Sequence, residues 1–152
     1  MTIVVVDNFK NYSMNYTTVE QSKKLLELGL NSESADMFYL DNSKAKVPIL
    51  GEYKIFDIPS IKHINSDELI SIDMQIPCWS LGALLEVMPE IFEDENDRGC
   101  NPTLSKGYDT DMWHCLYRST IYITDWYKSP TDAAFEMVVW LLENGYIKTE
   151  KK

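Results

Sequence analysis

The chain has 152 residues and a mass of 17.6 kDa, the length of one ordinary domain, and is read as a single domain over 1–152. Its 45% hydrophobic and 25% charged residues suit a globule with one core and exclude wholesale disorder, and no apolar run of about 18 residues is present to cross a membrane. With 24 acids against 14 bases the net charge is −10, the wrong sign for neutralising phosphates, so no nucleic-acid partner is expected.

Residues 1–7 hold a short aliphatic run without a basic segment before it, so they do not read as a secretory signal. Residues 2–6 read as a short strand and 7–16 as a polar turn. Thr17 with Glu20, or Thr18 with Gln21, makes a capping box, so a helix is expected from there to about Leu28. Gly29 stands at the left-handed position after it, with Leu30 placed to close on Leu25. A further helical turn, capped by Asn31 or Ser32, runs to residue 35 or 36, and residues 37–40 read as a strand. Residues 41–46 are a polar loop, and 47–69 hold apolar runs split by Pro48, Gly51 and Pro59 that allow one or two strands. Ile70, Ile72, Met74 and Ile76 alternate with polar residues, which predicts a half-buried strand or an extended lead into Pro77.

Ser80 is an N-cap, and Leu81, Leu84, Leu85 and Met88 form one apolar stripe on the helix that follows. Trp79 is placed to pack on Leu84, and Pro89 stops the helix. Residues 90–102 are an acidic loop, expected to be solvated and mobile, or else to dock a cation or a protein. Residues 103–106, 112–118 and 120–124 read as consecutive strands, with a turn at Asp109, Thr110 and Asp111. Ser129 caps the last helix, with Pro130 at its first position and Asp132 at its third. That helix runs to Glu143 or Asn144 and ends at Gly145, with Tyr146 placed to close on Leu141. The fold class expected is α+β: three main helices packed on a mainly antiparallel sheet.

The three cysteines, Cys78, Cys100 and Cys115, are odd in number and widely spaced, so they read as reduced thiols in a cytoplasmic protein. No CxxC occurs, and His63 and His114 lack ligand spacing, so no metal and no cofactor are expected. The adjacent His114 and Cys115 suggest a catalytic pair, but neighbours on a strand point to opposite faces. Trp113, Cys115 and Tyr117 share one face, and Met112, His114 and Leu116 the other, which makes Cys115 an apolar filler. A catalytic residue is therefore not named.

The last helix has one polar residue, Glu136, between Ala133 and Leu142, so it is either buried on most sides or leaves an apolar edge exposed. The first alternative covers it with the sheet on one side and the first helix on the other. The second makes Trp126, Tyr127 and Trp140 partner-binding residues, for a host protein or for self-association, because Trp and Tyr dominate binding hot spots.

Residues 18–30 (TVEQSKKLLELGL), 76–89 (IPCWSLGALLEVMP) and 129–147 (SPTDAAFEMVVWLLENGYI) resemble a family of short uncharacterised proteins. These are encoded by anaerobic gut bacteria, and many look derived from phages or mobile elements. The resemblance implies a phage- or mobile-element-derived origin and brings no activity and no functional residues. Similar proteins often begin near the position of Met14, so residues 1–13, or 1–16 taken to the first helix, read as an N-terminal extension or as an added strand. The function expected is a small cytoplasmic protein-interaction module. The competing readings are a small enzyme with a site near Cys78, His63 and His114, and an acidic DNA-mimic inhibitor.

Overall fold

In the computed structural model, which describes residues 15–40, 49–50 and 75–149, the first helix α1 (Val19–Glu27) starts at the second of its two candidate caps. The Thr18 hydroxyl accepts from the Gln21 amide at 3.1 Å, and the Gln21 side chain accepts from the Thr18 amide at 2.9 Å. Two free donors of the first turn are thereby satisfied. Thr17 is engaged elsewhere, since its hydroxyl accepts from the Trp79 amide at 3.1 Å and lies 2.8 Å from that of Ser22. At the other end, Gly29 takes a φ of 94°, and the Leu30 amide donates to the Leu25 carbonyl at 3.0 Å. That is the expected Schellman closure. A short 3-10 turn, Ser32–Ser34, follows under an Asn31 cap.

Strand β1 (Met37–Leu40) is the centre of a three-stranded antiparallel sheet, with β2 (Ile49–Leu50) on one side and β3 (Gln75–Cys78) on the other. Met37 stands opposite Cys78 and Tyr39 opposite Ile76, and one face of the sheet packs on Tyr16 and Val19. The strand expected over 70–76 is described only from Gln75, and it continues through Pro77, opposite Phe38. Proline lacks the amide of an inner strand, and among the described residues β3 pairs with β1 alone. The readings for residues 2–14, 41–48 and 51–74, including His63, lie outside the described residues.

Helix α2 (Leu81–Val87) begins at Ser80, whose hydroxyl accepts from the Ala83 amide at 3.1 Å. Trp79, fully buried before it, packs in the same cluster as Leu84, and its indole nitrogen donates to the Ser34 hydroxyl at 2.9 Å. Strands β4 (Thr103–Lys106) and β5 (Trp113–Leu116) form an antiparallel hairpin. Helix α3 (Pro130–Glu143) starts at Ser129, whose hydroxyl accepts from the Thr131 amide, and closes at Gly145, where the Tyr146 amide donates to the Leu141 carbonyl at 2.9 Å.

The core lies between α3, α2 and β5, with Leu84, Cys115, Met137 and Val138 fully buried. Burying such an aliphatic side chain contributes about 1.5–3 kcal/mol. The fold is α+β, and the antiparallel strands among the described residues are divided between two small sheets. Two expectations are corrected. The helix that chiefly covers α3 is α2, while α1 touches it lightly, through Gln21, which donates to Asp132 at 2.8 Å. Of α2, Ala83 and Leu84 join the cluster with α3, followed by the cap Met88; of α1, Leu25 joins it, while Ser22 turns its hydroxyl to that of Thr17. The strand expected over 120–124 is a turn followed by an irregular ribbon. None of the helices among the described residues is long and apolar enough to cross a membrane.

Candidate functional site

The hairpin separates two environments. Leu104 stands opposite Cys115, on the side that faces α3, and Ser105 stands opposite His114, on the far side. Residues 122–127 run beside β5 as a ribbon. The Tyr127 amide donates to the Trp113 carbonyl at 2.8 Å, and the Thr124 amide donates to the Cys115 carbonyl at 2.9 Å. A regular ladder is interrupted between them because the Cys115 amide donates to the Thr124 hydroxyl, at 2.9 Å, and not to a backbone carbonyl. Together with the turn closed by the Ile121 and Tyr122 amides on the Arg118 carbonyl, this is why the strand expected over 120–124 does not form.

The ribbon lays Trp126 on the far side. Its ring stacks on His114 with centroids 3.9 Å apart and planes 11° from parallel, and it remains 47% exposed. Ile123, bridged to Leu116, is 42% exposed beside it. The edge of the indole rests on the hairpin tip at Gly107, where an added Cβ would meet the ring at 2.9 Å and collide with the Thr110 hydroxyl. Glycine at 107 is thus what lets Trp126 lie flat. Next to it, Lys106, Asp109, Thr110 and Asp111 line a shallow open depression, with the Lys106 ammonium 3.7 Å from Asp111.

Trp126, Tyr127 and Trp140 do not form one patch. Tyr127 and Trp140 pack against the core on the α3 side, and Trp126 lies with His114 across the hairpin. Trp140 stacks on Tyr122 (4.4 Å, 3°) and on Tyr146 (5.3 Å, 20°), neither of which the sequence singled out as a partner. The pairing of Trp140 with Tyr146 was within reach, since the helix closure at Gly145 brings residue 146 back on the last turn. Partial burial pushes the Glu136 carboxyl above the usual carboxylate range, and Asp132, Glu143 and Asp125 add to the shift.

The buried thiols are poor nucleophiles. Burial pushes Cys115 up to about 12, and it pushes Cys78 up to about 12 despite hydrogen bonds from Thr17 and Tyr39. A thiol that stays protonated at neutral pH attacks slowly. Cys78 lies in β3 and His114 in β5, in separate sheets, and His63 lies outside the described residues. Among the described residues, no three His, Cys, Asp or Glu side chains converge as metal ligands.

The acidic loop, expected to be solvated and mobile or to dock a cation or a protein, is exposed over residues 92–96 and bonded to the fold at its neck and at Asp97. Ile91 and Cys100 exchange backbone hydrogen bonds of 2.9 and 2.8 Å across its neck. Arg118 donates to both Asp97 carboxylate oxygens, to Oδ2 at 2.7 Å, and to the Gly99 carbonyl at 3.2 Å. The guanidinium holds the Asp97 carboxyl well below the usual carboxylate range. Although Arg98 stands next to Asp97 in the loop, the guanidinium that pairs with Asp97 is that of Arg118, 21 residues away. Neither a protein-family model, nor a curated protein, nor a solved structure matches the chain.

Proposed function

We propose that the chain is a small cytoplasmic protein-interaction module of phage or mobile-element origin, and that it contacts a host protein through the far side of the β4–β5 hairpin. The observation that carries the contact surface is Trp126, an indole held flat on His114 and still 47% exposed. A ring already immobilised loses little entropy on binding, and tryptophan dominates hot spots. Ile123 and Leu116 extend the apolar surface along the ribbon. The origin rests on the resemblance of the three sequence blocks, and the net charge of −10 disfavours a nucleic-acid partner.

The test combines light scattering with a pull-down from the native host's cytoplasm, read by mass spectrometry. The expected result is a monomer at high concentration and one specific host protein captured. Trp126→Ala weakens that capture by about 2 kcal/mol or more, roughly thirtyfold, with the circular dichroism unchanged. Equal capture by Trp126→Ala would remove the contact from this face. A dimer that Trp126→Ala dissolves would reassign the face to a second copy of the chain.

A further inference from the structure

The surface of α3 combines carboxylates with stacked aromatic rings, among them Trp140 and not Trp126. Asp132, Glu136, Trp140 and Glu143 are spaced by four, four and three residues, which puts them on one face of the helix. The other residues from Thr131 to Leu142 are buried, so this stripe is what α3 shows to solvent. Trp140 joins Tyr122 and Tyr146 in a stacked set of rings, and Tyr146 is 45% exposed. Asp125 approaches the same place from the ribbon: it acts on Glu136 together with Asp132 and Glu143, and also on Tyr122 and Tyr127. Against these carboxylates, Lys24 of α1 is the base that acts on Glu136.

The occupant follows from charge and ring chemistry. An apolar partner would have to strip water from carboxylates that it cannot pair, which is costly. An acidic partner would be repelled. A cationic side chain pairs with the carboxylates, relieves their mutual repulsion, and gains from the electron-rich faces of the rings. We propose that this α3 face docks a lysine- or arginine-bearing segment of a partner protein, the cation seated on the Glu136 and Glu143 carboxylates beside the stacked Tyr122, Trp140 and Tyr146 rings.

The probe is a fluorescein-labelled peptide of nine residues, alternating arginine and glycine, titrated with the full chain and followed by anisotropy. Glu136→Gln combined with Glu143→Gln should weaken binding at least fivefold, and so should Tyr146→Ala. Glu95→Gln combined with Asp111→Asn removes the same charge from exposed positions elsewhere and should change the affinity less than twofold. Trp126→Ala should leave it unchanged, which separates this inference from the contact surface across the hairpin. Equal losses in the two charge-removing pairs would show that the peptide answers only to the net charge, and would overturn the proposal. Absence of binding by the unsubstituted chain would overturn it as well.

Discussion

The two sides of the β4–β5 hairpin are made of sequence neighbours and have opposite fates. On the side facing α3, Cys115 and Tyr117 are all but inaccessible, and the Tyr117 hydroxyl donates to the Pro89 carbonyl at 2.7 Å. On the far side, His114, Trp126 and Ile123 are as apolar or aromatic, yet Ile123 and Trp126 keep more than two fifths of their surface in water. Strand alternation explains which side each residue takes. It does not explain burial, which depends on α3 lying across one side. An aromatic-rich stretch thus supplies both a core and a contact surface, and composition does not distinguish them.

The contrast is broken most strongly from the inside. Leu141→Ala, at a fully buried position of α3, should cost about 2–5 kcal/mol in urea unfolding, because it leaves a cavity. Ile123→Ser on the far side should stay within about 0.5 kcal/mol. If the two losses were similar, the far side would be core as well.

The thiols sharpen the comparison at intermediate size. Cys115→Ala should cost about 1 kcal/mol, and Cys100→Ala much less, since Cys100 is only half-buried. In the folded chain Ellman's reagent should reach Cys100 first, with Cys78 and Cys115 reacting only on unfolding. Fast labelling of Cys115 would show that the α3 side is open to solvent.

The smallest effect concerns Glu136, whose carboxyl is raised in the fold. At low pH it is protonated in both states and stability is unaffected. As pH rises through the ordinary carboxylate value towards the raised one, the unfolded chain releases the proton first, so the fold loses stability. Glu136→Gln should flatten that part of the stability profile. An unchanged profile would mean that neither burial nor the carboxylate neighbours raise Glu136 in the fold.

What could be read in the sequence was local. Both Schellman closures, at Gly29 and Gly145, occur where expected, as do the caps at Ser80 and Ser129. Each rests on backbone groups and side chains a few residues apart. The opposed faces of His114 and Cys115 were legible for the same reason, because the period of a strand is two. Where two local signals competed, as at Thr17 and Thr18, the sequence left the choice open. The structure decides it because the Thr17 hydroxyl is engaged by the Trp79 amide, 62 residues away.

The candidate surfaces were only half legible. Trp126, Tyr127 and Trp140 were recognisable as a concentration of aromatics, but which side of the hairpin each would take was not. The sequence alone determined the α+β class, the caps and the alternation of β5, since these follow from hydrogen bonds and steric preferences within a few residues. Only the tertiary structure decided that α2 covers α3, that Thr124 interrupts the ladder, that Arg118 ties down the acidic loop, and that Trp126 lies on His114. Those contacts join positions from 9 to more than 20 residues apart, where packing selects partners that no local periodicity names.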